Sequence, residues 1–347
     1  MDFVATVFSS WHLIVLYSFL GDLQQSLNRD IKGIVYIRKY NNFYRISEKN
    51  FFDIKNVSIQ YEFVDSEKTT YKSFFKYLSI QKNDEHDLYV ISPYWYDFKT
   101  NPLNGEKRNI NFIALDEGLG SYQSRIRFLL LVHSPSRQFS FRAFIYIILT
   151  ELIKEFMKLC LKLKGASFKK YFLYKKQFNK LKINKNVANN LKDYFEARII
   201  NREYKNSCCL LIKDLDKDYL GKNDSMSLMQ KLISLVPKDM DILLKIHPAE
   251  INSDYLLDIT NLRPGIGILK TDLSAEEVFV LYRPKCVLSG FSTSGFVINT
   301  LFDSKIINYI NLYKNYKITN PYYLKKIREF KNLFSDFENI EFLSGEK

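Results

Sequence analysis

Short apolar segments alternate with amphipathic segments along the first half of the chain. The apolar segments are bounded by polar or turn residues, as expected of buried parallel strands. They lie at residues 3–8, 34–37, 57–61, 88–91 and 110–115. Apolar residues with helical spacing follow at residues 13–23 and 67–78. This alternation predicts an α/β fold built on a parallel sheet.

The same alternation begins again after residue 206. It predicts strands at residues 208–212, 242–246 and 286–288, and helices near residues 225–235, 274–281 and 296–301. We therefore predict two Rossmann-like domains that face one another across a central cleft and bind ligands at the carboxyl ends of their strands. The predicted domains are residues 1–200, which include a basic helical segment at residues 144–192, and residues 206–347.

The composition favours a packed globular protein. The 347 residues are 46% hydrophobic and 16% aromatic, which is enough apolar material for two ordinary domains and excludes a disordered chain. The four cysteines show no zinc or disulfide spacing, and the four histidines show no paired-ligand spacing. We therefore predict a reducing compartment and no metal site built by the protein.

The formal net charge of +13 favours an anionic partner. Residues 156–192 contain no Asp or Glu, and apolar and aromatic residues lie between their lysines. These lysines are Lys158, Lys162, Lys164, Lys169, Lys170, Lys175, Lys176, Lys180, Lys182, Lys185 and Lys192. The composition is typical of an interfacial helix, and we predict peripheral association with the anionic inner membrane face. The alternatives are a solvated helical face, a homodimer contact and a binding site for a polyanionic acceptor.

The apolar residues 3–20 are interpreted as a strand and a helix. Asp2 follows Met1 directly, so no basic region precedes the apolar residues, and Ser9, Ser10 and His12 interrupt them. Neither a signal peptide nor a membrane-spanning helix is predicted here, and we expect a cytoplasmic protein.

A first candidate site follows the strand at residues 110–115. Asp116 and Glu117 stand in the turn, where Gly118 and Gly120 allow close approach of the backbone to a ligand. A carboxylate at the carboxyl end of a strand is well placed to act as a general base towards a sugar hydroxyl. The alternative is an ordinary acidic turn with a helix cap.

A second candidate site ends the strand at residues 242–246. Pro248 biases His247 towards an extended backbone. Lys245 lies two residues before His247, so both potential cations point to one side, as suits a phosphate leaving group. The alternative is a structural histidine.

A third candidate site is a hydroxyl-rich turn between the strand at residues 286–288 and the helix near residues 296–301. It contains Ser292, Thr293 and Ser294. Backbone amides at a helix N-terminus and the helix dipole both favour phosphate. The alternative is a plain Ser/Thr N-cap.

Taken in this order, the three motifs resemble those of bacterial sialyltransferases with the GT-B fold. Asp116-Glu117-Gly118 is similar to their D/E-D/E-G motif, Lys245-Ile246-His247-Pro248 to their HP motif with its preceding lysine, and Ser292-Thr293 to their S-S/T motif. The chain resembles the lipooligosaccharide sialyltransferases and the capsular polysialyltransferases. Residues 8–13 resemble their opening strand-to-helix turn, except that Ser10-Trp11 replaces the usual Thr-Pro.

The resemblance implies an inverting, metal-independent transfer of sialic acid from CMP-sialic acid to a glycan hydroxyl, with no cofactor. Glu117 would be the base that takes the proton of the acceptor hydroxyl, with support from Asp116. His247 would stabilise or protonate the departing phosphate. The product would belong to a bacterial capsule or lipooligosaccharide.

The resemblance also implies an N-terminal domain that binds the acceptor and a C-terminal domain that binds the CMP donor. Ser292 and Thr293 would hold the phosphate, and the register of this motif could move by one residue to include Ser294. Glu277 would bind the cytidine ribose, with Glu276 as the alternative. Lys245 and Pro248 complete the predicted donor site.

Other functions fit parts of the pattern. A GT-B enzyme that uses CMP-Kdo or a UDP- or GDP-sugar would share the fold and the phosphate turn. A non-catalytic basic protein at the membrane surface would make the three motifs coincidental. A nucleic-acid-binding protein is disfavoured, because no RRM, KH or zinc pattern is present.

Two stretches match the DxD pattern of metal-using glycosyltransferases. They are Asp214-Leu215-Asp216 and Asp239-Met240-Asp241. Lys213 and Lys217 flank the first, and the second lies in a turn that leads into Ile242. We interpret both as solvated polar loops.

Overall fold

The chain folds into two compact units, each built on its own parallel sheet. A computed structural model describes residues 1–39, 46–65, 86–93, 109–116, 141–163, 165–177, 180–198, 208–213, 220–246, 256–269, 271, 273–316, 330–334 and 336–344. The first unit comprises Met1–Leu173 and Asn184–Tyr194, and the second comprises Tyr174–Ile183 and Phe195–Lys347.

The first unit contains a sheet of six parallel strands. These are β1 (Phe3–Val7), β2 (Ile31–Arg38), β3 (Val57–Val64), β4 (Leu88–Ser92), β5 (Ile110–Leu115) and β6 (Ser167–Tyr171), in the order β3-β2-β1-β4-β5-β6. The longer helices described in this part of the chain are α1 (Ser10–Leu27), α2 (Phe141–Leu163) and α3 (Lys185–Arg198), and Glu48–Asn50 forms a short 3-10 turn.

Helices cover both faces of the first sheet. On one face, Phe19 of α1 packs with its ring 5.2 Å from that of Tyr171 and 6.5 Å from that of Tyr89. On the other face, Leu161 of α2 joins a core cluster that includes Val4 and Phe112. Burial on both faces explains why the central strands are continuous apolar runs rather than alternating ones.

The second unit begins with an antiparallel hairpin and then forms its own six-stranded parallel sheet. The hairpin is β7 (Tyr174–Gln177) and β8 (Lys180–Ile183). The sheet contains β9 (Cys208–Ile212), β10 (Asp241–Lys245), β11 (Ile266–Ile268), β12 (Cys286–Ser289), β13 (Ile306–Asn308) and β14 (Ile340–Phe342), in the order β11-β10-β9-β12-β13-β14. The described helices are α4 (Lys222–Ser234), α5 (Leu256–Thr260), α6 (Ala275–Tyr282) and α7 (Thr293–Phe302), with a 3-10 helix at Ile310–Asn315.

Both sheets have the doubly wound strand order, in which the chain runs outward from the centre in one direction and then in the other. The order reverses between β1 and β4 in the first sheet and between β9 and β12 in the second. Ligands of such sheets bind at the carboxyl ends of the strands at this reversal. The predicted fold class, two Rossmann-like α/β units of the GT-B kind, is thus confirmed for each unit.

The basic segment at residues 144–192 differs from its prediction as one helical segment. Helices α2 and α3 lie at its two ends, but β6 and the β7–β8 hairpin lie between them. β6 pairs with β5, and Phe168 stacks on Phe112 with ring centroids 4.8 Å apart. Tertiary pairing at a sheet edge therefore decides the local structure, which lysine content alone does not reveal.

The contact units also differ from the predicted domains at their boundary. Residues 174–183 group with the second unit, although they lie within the predicted N-terminal domain. The acceptor and donor roles of the two domains stay predictions. Among the described helices, none is long and apolar enough to cross a membrane.

Candidate functional site

Six of the nine predicted site residues lie within the described part of the chain. Asp116 is in the first unit. The second unit contains Lys245, Glu277, Ser292, Thr293 and Ser294. Glu117, His247 and Pro248 lie outside the described residues.

Asp116 is buried at the carboxyl end of β5 and fixes the neighbouring strand. Its backbone N–H donates to the carbonyl of Tyr171, the last residue of β6, at 3.2 Å. Its Oδ2 accepts a hydrogen bond of 2.9 Å from the backbone N–H of Leu173. The carboxylate and the N–H of Asp116 thus tie the end of β5 to the end of β6 and the chain that leaves it.

Tyr171 is itself held by a network of partly buried polar groups. Its hydroxyl donates to Asp22 Oδ2 at 2.7 Å and lies 2.9 Å from the hydroxyl of Ser18, both on α1. The side-chain amide of Asn190, on α3, donates to the Tyr171 hydroxyl at 3.1 Å and to Asp22 Oδ1. Burial raises the pKa of Tyr171 well above its usual range, so the phenol keeps its proton and remains a donor. The edge strand that supports Asp116 is therefore anchored to two helices.

The opening turn at residues 8–13 forms a capped strand-to-helix connection at the same edge of the sheet. Ser9 is the N-cap of α1, and its hydroxyl accepts from the backbone N–H of His12 at 3.2 Å. The rings of Phe8 and His12 meet edge to face, 4.3 Å apart. Because only β4 lies between β1 and β5, this turn and Asp116 are about 10 Å apart at the sheet edge.

In the second unit, the hydroxyl-rich turn lies at the point where the strand order reverses. β12 ends at Ser289, and Ser292 is the N-cap of α7, with its hydroxyl accepting from the backbone N–H of Ser294 at 3.3 Å. Ser292, Thr293 and Ser294 are each partly exposed. The turn therefore presents hydroxyls and the positive end of a ten-residue helix at the edge where this fold binds ligands.

Two contacts hold the turn in position. The buried Asn308, at the end of β13, donates to the carbonyl of Gly290 at 2.9 Å and accepts from the N–H of Ile310 at 3.0 Å. Gly295 lies so close to Ser289 that an added Cβ would come within 2.6 Å of its side chain. A glycine is required there because only a residue without a side chain lets the first turn of α7 rest on β12.

The two adjacent glutamates of α6 have different roles. Glu277 forms a capping box: its Oε2 accepts from the N–H of Ser274 at 2.7 Å, while its own N–H donates to the hydroxyl of Ser274 at 3.1 Å. Glu276 is buried and is hydrogen-bonded to the side chains of Ser294 and Ser274. Burial raises the pKa of Glu276, and these hydrogen bonds oppose the rise. Glu276 is therefore the glutamate that contacts Ser294 of the hydroxyl-rich turn.

Lys245 holds the segment of the chain that leads into α6. Its Nζ donates to the carbonyl of Thr271 at 3.1 Å, in the segment between β11 and α6. Its backbone carbonyl accepts from the N–H of Lys213, which follows the central strand β9.

Lys213 is buried, with 2% of its surface exposed. It directly follows the central strand β9, which explains its burial, and the interpretation of the adjacent Asp214-Leu215-Asp216 as a solvated loop stays a prediction. Lys213 lies at the strand-order reversal, beside the strand that leads to Ser292.

The second DxD stretch lies away from these groups. Asp239 and Asp241 are exposed at the amino end of β10, the opposite edge of the sheet from Lys245. Asp214 and Asp216 lie outside the described residues.

Sequence reasoning missed Lys213, Asn308 and Tyr171; it named Glu277 with Glu276 as the alternative, and that choice stays a prediction. An asparagine at the end of a short apolar strand was the only available signal for Asn308. The other three depend on partners distant in sequence, such as Asp22 for Tyr171 and Ser294 for Glu276.

A family model matches nearly the whole chain. The model of the alpha-2,8-polysialyltransferase (POLYST) family matches residues 3–311, which include the described turns of both units. A comparison with curated proteins finds no match.

Several solved structures match the chain over most of its length. UDP-GlcNAc 2-epimerase from Methanocaldococcus jannaschii is 12% identical with a TM-score of 0.50, over 100% of this chain and 89% of that chain. The GT-B domain of a sialyltransferase from Photobacterium damselae is 12% identical with a TM-score of 0.48, over 99% of this chain and 100% of that chain. E. coli heptosyltransferase WaaC with ADP is 15% identical with a TM-score of 0.41, over 89% of this chain and 86% of that chain.

Proposed function

Since the chain belongs to the alpha-2,8-polysialyltransferase family, we propose that it transfers sialic acid from CMP-sialic acid to a hydroxyl of an acceptor glycan. It is a glycosyltransferase of the sialyltransferase type. We also propose that the reaction is inverting and independent of metal ions, and that the enzyme works at a membrane surface.

The hydroxyl-rich turn at Ser292–Ser294 is the observation that best supports a CMP-activated donor. Its hydroxyls are partly exposed at the N-terminus of α7, and Asn308 fixes the strand-to-helix connection that leads to them. Preorganised donors of this kind stabilise the charge that develops on a departing phosphate, and they do not need to reorganise during the reaction. We assign the CMP phosphate to this turn.

Glu276 takes the ribose contact in this proposal, in place of Glu277. The carboxylate of Glu277 already accepts the N–H of Ser274, whereas that of Glu276 is bonded to Ser294 beside the turn. When CMP binds, ribose hydroxyls would replace the serine hydroxyls as hydrogen-bond donors to Glu276.

The cationic side of the donor site combines three residues in the proposal. His247, with its backbone set by Pro248, protonates or stabilises the departing phosphate. Lys213 adds a buried positive charge at the strand-order reversal, where low dielectric strengthens its attraction to phosphate. Lys245 contributes by holding the segment that leads into α6.

Glu117 acts as the general base towards the acceptor hydroxyl. A base opposite the leaving phosphate gives direct displacement and hence inversion at the sugar carbon. Asp116 positions Glu117, because its buried carboxylate and N–H tie the end of β5 to the chain leaving β6. No divalent cation is required in this mechanism, because the donors of the turn and the nearby cations balance the phosphate charge.

A stripe of apolar side chains on α2 supports association with a membrane. Its members are large, exposed and spaced by three or four residues, so they share one helix face. They are Ile145, Leu149, Leu152, Ile153, Phe156, Leu159 and Leu163. Phe156 is 66% exposed and Leu163 is 80% exposed, whereas Leu161 on another side of the helix is buried in the core. Soluble monomers rarely expose an apolar face of this kind.

We propose that this α2 stripe lies in the interface of the anionic inner membrane face, parallel to the bilayer. Exposed Lys162, Lys169 and Lys170 follow at its C-terminal end, and the whole chain carries a net charge of +13. Apolar burial and attraction to anionic headgroups act together at such a surface. The enzyme would then work where surface glycans are assembled on lipid carriers.

The decisive experiment incubates the purified chain with CMP-sialic acid and a panel of galactose-terminated and sialylated oligosaccharides, with and without EDTA. Mass spectrometry should find acceptors that have gained one or more sialic acid residues, at the same rate in both conditions. A Glu117→Gln variant is the control for enzyme-dependent transfer. Transfer only from CMP-Kdo or a UDP- or GDP-sugar would overturn the donor, and a strict need for Mg²⁺ or Mn²⁺ would overturn the mechanism.

A further inference from the structure

Three sulfur atoms meet at the amino edge of the second sheet, away from the hydroxyl-rich turn. Cys209 is the second residue of β9, and Cys286 is the first residue of the neighbouring β12. Both are free thiols, and the two residues are paired in the register of β9 and β12. The Cys286 Sγ also lies 3.8 Å from Sδ of Met240, the residue before β10. Three adjacent strands thus bring soft, oxidisable groups together.

The backbone geometry suits a covalent bond between the two cysteines. Cys209 and Cys286 are directly paired in the parallel register of β9 and β12. Paired residues on neighbouring strands are about 4.8 Å apart and project to the same face of the sheet. Disulfides bridge Cα separations of about 4.4–6.8 Å. Because the two residues are paired directly and project to the same face, a bond between them requires no change in the register of the strands.

We propose that Cys209 and Cys286 form a redox-active pair, which a peroxide converts reversibly into a disulfide. This modification site is independent of the transfer reaction. It lies on β12, whose opposite end carries the connection to Ser292, about 10 Å away along the strand.

The two cysteines are suited to different steps. Cys286 is partly exposed, and the hydrogen bond from the Cys209 thiol lowers its pKa, with a further lowering by the Lys285 ammonium against the effect of burial. The same hydrogen bond, together with burial, raises the pKa of Cys209, which has no exposed surface. Thiolates and not thiols attack oxidants, so Cys286 reacts first and Cys209 is the resolving thiol.

Formation of the disulfide requires hydrogen peroxide as the only added reagent. The Cys286 thiolate attacks one peroxide oxygen, the O–O bond breaks, and hydroxide leaves as Cys286 becomes a sulfenic acid. The sulfur of Cys209, losing its proton, then attacks the Cys286 sulfur, and water leaves as the S–S bond forms. Both sulfurs are oxidised by one electron each, and the peroxide is reduced by two.

The neighbouring Cys208 offers an internal comparison. It directly precedes Cys209 on the same strand, so its side chain points to the opposite face of the sheet. Cys160, on α2, belongs to the first unit. The proposal therefore specifies one disulfide among four cysteines, and any other pairing contradicts it.

The test treats the reduced, full-length chain with one equivalent of hydrogen peroxide and maps its peptides without reduction. We expect a linked peptide pair containing Cys209 and Cys286, with a mass loss of about 2 Da that dithiothreitol reverses. The matched variant Cys160→Ser should give the same linked pair. Cys286→Ser should give none, and its Cys209 should stay unmodified.

A second variant tests the order of the steps. In Cys209→Ser the resolving thiol is absent, so dimedone should trap a sulfenic acid on Cys286. The proposal is overturned if the wild type instead accumulates a gain of about 32 Da on Cys286 without a linked peptide. It is also overturned if the disulfide includes Cys160 or Cys208, or if peroxide leaves all four thiols unchanged. None of these readouts depends on sialic acid transfer.

Discussion

Asp116 Oδ2 accepts a hydrogen bond of 2.9 Å from the backbone N–H of Leu173. The bond joins the residue after β5 to the chain that leaves β6, and both groups are buried. The predicted base, Glu117, is the next residue after this fixed point. Substitutions at Asp116 and Glu117 should therefore separate positioning from chemistry.

Asp116→Ala should lower the free energy of unfolding by about 1–3 kcal/mol, because it leaves a buried N–H without its acceptor. Asp116→Asn keeps an oxygen in the same place and should cost less. Urea denaturation of both variants and the wild type measures the difference. Equal stability of Asp116→Ala and the wild type would show that the bond contributes nothing.

Glu117→Gln should fold normally and bind CMP as the wild type does, but transfer should slow by at least ~100-fold, the scale of a lost general base. Asp116→Asn is the matched control and should slow transfer less. Turnover measured with CMP-sialic acid and CMP affinity measured by calorimetry decide the question together. Near-wild-type turnover of Glu117→Gln would remove its role as base.

Ligand affinity at the hydroxyl-rich turn should depend on the negative charge of the ligand. The double variant Ser292→Ala/Thr293→Ala, and separately His247→Ala, should weaken CMP binding by about 10- to 100-fold, because each removes donors to an anion. Cytidine, which has no phosphate, should lose less affinity in calorimetry. Ser234→Ala/Thr260→Ala, which removes two hydroxyls at other helix ends, is the control. An equal loss for cytidine and CMP would contradict the assignment.

The buried carboxyl of Glu276 should make stability depend on pH. Burial raises its pKa in the folded chain, so the folded state holds this proton more tightly than the unfolded state. Its contribution to the free energy of unfolding is complete below the pKa of the unfolded carboxyl and is lost as pH rises through the raised folded pKa. Glu276→Gln, which imitates the protonated form, should therefore gain stability relative to the wild type as pH rises.

Urea denaturation at a series of pH values from about 4 to 8, spanning the ordinary carboxyl pKa and the region above it, measures this difference. The exposed Glu338→Gln should change stability by the same small amount at every pH. A constant difference for Glu276→Gln would mean that the carboxyl is not desolvated.

The wild-type chain should float with anionic vesicles but not with neutral ones at low salt. Each lysine adds about 1 kcal/mol, and the attraction fades within about 8–10 Å, so salt should release the protein. Leu152→Gln/Phe156→Gln, within the α2 stripe, should abolish flotation. Leu235→Gln/Leu257→Gln changes two exposed leucines elsewhere and should not.

Changing Lys169, Lys170, Lys175 and Lys176 to Gln should also reduce flotation. If the wild type instead fails to float while the lysine variant loses activity only on long anionic acceptors, the lysines bind the acceptor and not the membrane. A native dimer that Leu152→Gln/Phe156→Gln converts to a monomer would assign the α2 stripe to a homodimer.

The buried strands were the most predictable part of the fold. β5 and β9 begin and end at the predicted residues, because a continuous apolar run between polar residues has few alternatives to a central parallel strand. β11, β13 and β14 have three residues each and give too short a pattern to detect. β6 was missed because its lysines and aromatic residues suggest an interfacial helix, and only its pairing with β5 makes it a strand.

The candidate site was predictable where it depends on local sequence. The hydroxyl-rich turn follows from Ser292, Thr293 and Ser294 between a strand and a helix. The choice between Glu276 and Glu277 did not follow, because the two lie in the same helical turn and only the packing of α6 beside Ser294 separates them. The roles assigned to Glu117 and His247 stay predictions.

The chain passes back and forth between its two units, which limits where it can be cut into separate fragments. Residues 174–183 belong to the second unit, yet the chain then returns to the first unit for residues 184–194. A fragment that stops at residue 173 loses Asn190 and with it two hydrogen bonds to Asp22 and Tyr171. A fragment that continues to residue 194 carries a hairpin separated from the rest of its unit. Exchange of one unit between relatives therefore requires three junctions, and a chimera with a single junction should be unstable.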